Sequence, residues 1–199
     1  MKKYMALLLA LVTVLSLTAC GKKKNEGNNT TEPSVKLPSS ALNLLQTVWN
    51  SYAEEEKFYA MGGNYSEDES KNNNVENAPG KYDLEDEGLT ANLMVPAEQV
   101  GNISEAASLV HGMMTNNFTC GAYRLKDGMD AKAFSAVMYT SITQQRFLCG
   151  TPEWILIATL GDEYVVAVYG AKDLLTVLQN RLTAAYPGTE VRYNEAITG

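Results

Sequence analysis

The chain has 199 residues, of which 45% are hydrophobic and 20% charged, with 16 Lys/Arg, 23 Asp/Glu and a formal charge of −7. An acidic balance of this kind argues against a nucleic-acid partner, whose phosphates demand a basic face. The single histidine, His111, rules out a His-His metal pair, and three cysteines leave one thiol without an internal partner.

Residues 1–19 have the layout of a signal peptide. Lys2 and Lys3 are followed by an apolar run from Met5 to Leu17, broken only by Thr13 and Ser16, and then by small residues. The run is shorter than the ~20 residues a spanning helix needs, and no later segment is apolar enough to cross a bilayer. Leu17-Thr18-Ala19-Cys20, followed by Gly21, resembles the lipobox of bacterial lipoproteins. The resemblance implies cleavage before Cys20, diacylglycerol on its thiol, and a protein held on the outer face of the cell membrane, with membrane lipid as its first partner. Residues 20–38 then read as the anchor and a flexible tether: Lys22, Lys23 and Lys24 lead into a polar stretch with no apolar periodicity.

Residues 39–95 read as a helix followed by an acidic, Asn-rich loop. Ser39 or Ser40 is the expected N-cap, and Leu42, Leu45, Trp49 and Tyr52 form one stripe. From Ala53 to Glu87 there are eleven acids against three lysines, with Gly, Asn and Pro breakers throughout. Asp83 to Gly88, DLEDEG, matches the opening of an EF-hand loop, but position twelve falls on Met94 where a bidentate Glu is needed. A solvated charged loop is the preferred reading, and no metal site or cofactor is expected.

Residues 96–199 read as an α+β domain of ordinary surface charge. The spacing of Leu109, Val110, Met113 and Met114 behind Ser104 predicts a short helix with those four buried. FTCGAYRLK follows as a strand, and Phe134, Val137, Met138, Ser141 and Ile142 behind Asp130 predict an amphipathic helix. EWILIATL and EYVVAVY, separated by Gly161-Asp162, predict a hairpin with a two-residue turn. A helix carrying Leu174, Leu175, Leu178 and Leu182 ends at Pro187-Gly188, and TEVRYNEAI is the last strand. From Phe118 the order β-α-β-β-α-β matches a ferredoxin-like split βαβ fold. It predicts a four-stranded antiparallel sheet with both helices on one face and the N-terminal helix as an extension.

The span from about Gly88 to Pro187 also resembles a family of small lipoproteins of Gram-positive bacteria whose C-terminal domain has no assigned function. Met113-Met114 and Lys126-Asp127-Gly128 stand where that family has a Met-rich turn and a strand ending in Lys-Asp-Gly. The resemblance implies the location and an α+β fold, and brings no catalytic residues.

Among chemistries, a Cys/His nucleophile pair would need His111 beside Cys120 or Cys149 with a third group to orient it; a packed or solvated helix histidine is preferred. Cys120 and Cys149 are a candidate disulfide, weighed against two buried free thiols. The expected role is non-catalytic binding or accessory work, with an envelope protein or small ligand as partner. Contact is expected through the sheet face or through an apolar edge strand at Trp154, Ile155, Leu156 and Ile157. The competing readings are a cell-envelope hydrolase using carboxylates of the 54–87 loop and a solute-capture lipoprotein.

Overall fold

A computed structural model of the chain describes residues 37–148 and 150–198. Cys20, its lipobox and all but the last two residues of the 20–38 tether lie outside the described residues, as does Cys149. The described chain is α+β: an eight-stranded antiparallel sheet with five helices.

The first helix, α1 (Ala41–Asn50), starts where its sequence says it should. The Ser40 side chain accepts a hydrogen bond from the Asn43 N–H at 2.9 Å, satisfying one of the orphan donors of the first turn. Ala41, Leu44, Leu45, Val48 and Trp49 are buried. Three short strands follow, β1 (Ala60–Gly62), β2 (Val75–Glu76) and β3 (Gly80–Tyr82), inside the segment expected to be a loop. Two very short helices, α2 (Gly88–Ala91) and α3 (Ala97–Val100), lead to β4 (Ile103–His111). Next come β5 (Phe118–Leu125), α4 (Ala131–Thr143), β6 (Trp154–Leu160), β7 (Tyr164–Gly170), α5 (Lys172–Ala185) and β8 (Thr189–Ala196).

The acidic segment is organised by one buried amide. Asn64 is 1% exposed. Its Nδ2 donates to the Lys71 carbonyl at 3.1 Å and to Asp86 at 3.2 Å, while its Oδ1 accepts from the Asp83 N–H and the Asn73 side chain. Fully satisfied, a buried amide costs little and fixes the chain around it. Two glycines let the strands of this segment cross closely: a Cβ on Gly62 would stand 2.1 Å from the Gly80 nitrogen.

The strand order is β2-β1-β4-β5-β7-β6-β8, with β3 also pairing with β4. Two expectations are corrected by it. The ferredoxin-like arrangement needs the last strand beside the first, but that edge of β5 is taken by β4, so β8 pairs with β6 instead. The helices also do not share a face. α1 and α5 cover one side of the sheet, over Leu109, Phe118, Cys120, Leu156, Val166 and Val168, whereas α4 covers the other, over Tyr123, Ile155, Ile157, Val165 and Ala167.

The residues 103–111, expected as a helix, form a strand. Ala106, Ala107, Ser108 and Leu109 are all buried because β4 lies inside the sheet between layers, and burial on both sides erases the period-two pattern that would have marked it. Met113 and Met114, expected in the core, stand out in the connection to β5, 78% and 57% exposed.

The strand at Trp154–Ile157 is not an edge. It pairs with β7 and β8, and Ile155, Leu156 and Ile157 are at most 1% exposed, so these three offer a partner no surface; Trp154 is half-buried under Lys172, whose ammonium lies 4.0 Å from its ring centroid. The sheet edge falls instead on β8, which carries Glu190, Arg192 and Glu195 and has a register shift opposite Ile157 and Ala158. Charges and a bulge are how an exposed edge is kept from pairing with another chain. The β6–β7 hairpin forms as expected, with three residues, 161–163, in its turn rather than two.

Where the described chain begins, it is tied down. The Tyr164 hydroxyl donates to the Pro38 carbonyl at 2.9 Å, and Glu105 accepts from the Ala41 N–H at 3.1 Å.

Candidate functional site

At the opposite end of the strands, on the α4 face, α4 stops short of covering the sheet and leaves a cleft of about 610 Å³. Its floor is built from alternate residues of neighbouring strands: Met61 after β1 begins, Val110 near the end of β4, Thr119 at the start of β5 and Tyr169 near the end of β7. Val110 pairs with Thr119, and Thr119 with Tyr169, so these three side chains lie in a row across the sheet. One wall is residues 91–94 and the other is residues 145–148, which follow α4.

The first wall is stapled from beneath. The Tyr123 hydroxyl donates to the Leu93 carbonyl at 3.2 Å, Tyr169 to the Asn92 carbonyl at 3.1 Å, and Ser141 to the Met94 carbonyl at 2.7 Å. The Asn92 amide reaches the Tyr82 hydroxyl at 3.4 Å. Burial raises the pKa of Tyr82, Tyr123 and Tyr169 above the ordinary tyrosine value, so all three hydroxyls stay protonated, Tyr123 and Tyr169 donating to the wall and Tyr82 accepting from it. Tyr123 fits only because Gly121 stands below it: a Cβ there would lie 2.1 Å from the tyrosine oxygen. Met94 takes the left-handed backbone conformation, φ 59°, which a side chain enters at a cost of about 1–2 kcal/mol. The wall is thus held in its shape by surrounding bonds, as strained segments at working sites are.

Two residues beyond the second wall, the Gly150 carbonyl accepts from the Asn116 amide of the turn between β4 and β5 at 2.7 Å. Phe147 packs against the Tyr169 ring, with centroids 5.4 Å apart.

Around the mouth lie most of the exposed apolar side chains of the described residues. Of eight such side chains, two line the cleft and three more stand beside its lining residues. Tyr65 and Leu148 line the cleft, 71% and 99% exposed. Met113 and Met114 precede the lining residues Thr115 and Asn116, and Tyr59 lies over Gly112 beside Met61. A soluble surface scatters such residues; gathered at one concavity they mark a contact site.

The residues singled out from sequence fall elsewhere. His111 ends β4 with its ring stacked on Phe58, centroids 5.2 Å apart, and its Nδ1 accepts from the N–H groups of Met113 and Met114, both at 3.3 Å. It therefore shapes the turn that carries the exposed methionines. Cys120 is completely buried beneath α1, and burial pushes its thiol well above the ordinary range; its pairing with Cys149 lies outside the described residues. The acids of DLEDEG close local turns: Asp86 accepts from the Gly88 N–H at 2.7 Å and Asp83 from the Glu85 N–H at 3.0 Å. Among the described residues no three His, Cys, Asp or Glu side chains converge as a metal site would require.

None of the cleft residues carries a local sequence signature of a site; the nearest sign of this pole is the Met113-Met114 pair, which helical spacing would bury and which the structure exposes. Comparison with family models, with curated proteins and with solved structures returned no match.

Proposed function

We propose that this is a lipid-anchored extracytoplasmic protein whose domain binds a ligand, without catalysis, in the cleft over Val110, Thr119 and Tyr169. The observation that carries the reading is the coincidence of a pre-shaped apolar cleft with exposed Tyr, Met and Leu side chains at its mouth. Pockets of about 300–1,000 Å³ with apolar linings and a few polar groups are the usual form of a small-molecule site. The lining among the described residues contains no Asp or Glu, so a carboxylate pair for hydrolysis has no place in it. Anchoring rests on the sequence alone, through Cys20 and the lysines after it. No helix among the described residues is long and apolar enough to cross a membrane.

Two measurements test the two halves. Intact-mass analysis of the protein extracted from membranes should find the N-terminus at Cys20 with a diacylglyceryl adduct; an unmodified Cys20 or an N-terminus elsewhere overturns the anchor. A neutral solvatochromic dye, Nile red, should bind the protein with a rise in emission, and Tyr65→Glu with Leu148→Glu, both at exposed positions, should weaken it about tenfold. Dye affinity unchanged by the rim substitutions overturns the cleft as the binding site.

A further inference from the structure

The chain is acidic overall, with 23 Asp/Glu against 16 Lys/Arg, and its densest run of acids, residues 53–87, supplies Met61, Gly63, Tyr65, Asn74 and Tyr82 to the cleft. None of the carboxylates of that run is among the lining residues, although Glu76 stands across from Met61 in the β1–β2 pair. The one charged side chain in the lining is a cation, Arg146, on the wall that follows α4. Gln145 adds an amide next to it, and the facing wall carries Leu93 and Met94. A cationic ligand would meet Arg146 and nothing to balance its own charge. A neutral apolar ligand would leave the guanidinium without use. From this distribution, and resting on the reading of the cleft as a binding site, we propose that the ligand is an amphiphile with one anionic head group: its carboxylate or phosphate takes a charge-assisted bond from Arg146, and its apolar body lies on Met61, Val110 and Tyr169.

The exposed rim fits the same ligand. A molecule with a hydrocarbon or aromatic body leaves a micelle or membrane surface only across apolar groups, and Met113, Met114, Tyr65 and Leu148 provide them at the mouth.

The test uses the full chain carrying Cys20→Ser, which stays unlipidated, titrated calorimetrically with four probes that share a dodecyl-length chain, each below its micelle-forming concentration or, for the alcohol, its solubility limit: dodecanoate, dodecyl phosphate, dodecanol and dodecyltrimethylammonium. At least one of the two anions should bind about tenfold more tightly than the alcohol, and the ammonium probe should bind most weakly. Which anion does so identifies the head group, and either supports the proposal. In Arg146→Gln the anions should fall to within about twofold of the alcohol, with the alcohol itself unchanged. Equal binding of alcohol and anions by the unsubstituted cleft, or an anion preference that survives Arg146→Gln, overturns the proposal. If no amphiphile binds while Nile red still does, the ligand class fails and the cleft reading stands; if the dye fails too, both fall.

Discussion

Tyr123 and Leu93, thirty positions apart in sequence, are joined by a hydrogen bond from a tyrosine hydroxyl inside the core to a main-chain oxygen in the cleft wall. The bond fixes the height of residues 92–94 above the sheet. Tyr123→Phe keeps the ring and removes the donor, leaving the Leu93 carbonyl buried without a partner. The expected cost is about 1–3 kcal/mol, read by urea denaturation. Amide exchange at Asn92 to Met94 should quicken with it, and unchanged exchange there would show that Tyr169 and Ser141 hold the wall unaided.

The N-terminal helix should be indispensable to the fold rather than an extension of it. Leu44 is fully buried against the face formed by β4 and β5, with Leu45 and Val48 beside it. Leu44→Ala should lower stability by about 2–5 kcal/mol in the same denaturation experiment. A loss under 1 kcal/mol would mean that α1 is dispensable packing.

Glu56 and Arg181 join the segment after α1 to α5. The guanidinium donates through Nε at 3.0 Å and Nη2 at 2.6 Å to one carboxylate oxygen. Those bonds, helped by the Ala53 N–H, hold the Glu56 carboxyl below its ordinary value of 4.5. A group whose folded pKa is lowered stabilises the fold above its unfolded pKa, and that contribution is lost as pH falls through the folded value. Stability should therefore decline below about pH 4.5 in part through this pair, and Glu56→Gln should flatten the decline in that window. Parallel acid-denaturation curves for the two proteins would count against the link.

Cys120 should be chemically silent in the native state. In the Cys20→Ser, Cys149→Ser chain, whose only thiol is the buried one, a thiol reagent should label nothing until denaturant is added, because burial disfavours the reactive thiolate. Labelling at native stability would show an opening of the α1 face. In the chain that keeps Cys149, thiol counts of the unfolded protein with and without reductant read the pair directly.

Most of the elements were legible from local pattern: Ser40 and Asp130 cap their helices as their chemistry suggests, and the Gly161 turn pairs β6 with β7. β4 was not, because ISEAASLVH combines good helix formers with burial on both faces, and nothing in its order of residues alternates. The position of β8 was hidden for a related reason. Strand order depends on which edge is vacant, and β5 lost its outer edge to a strand read as a helix. The cleft was the least legible feature: its lining comes from separate segments between Met61 and Tyr169, each unremarkable alone, and only the sheet register sets Val110, Thr119 and Tyr169 in line.

The bond from Tyr164 to the Pro38 carbonyl has a practical meaning for handling the molecule. Tyr164 pairs with Arg124 and Tyr169 with Thr119, so the two ends of this stretch of sheet are five residues, or about 17 Å, apart. Whatever is attached ahead of Leu37 meets the domain beside the β6–β7 turn, on the far side of the sheet from α4. A bead, a sensor chip or a fused reporter joined there leaves the ring of Tyr65, Met113, Met114 and Leu148 facing open solution. A label on the turn between β4 and β5 would sit in the doorway.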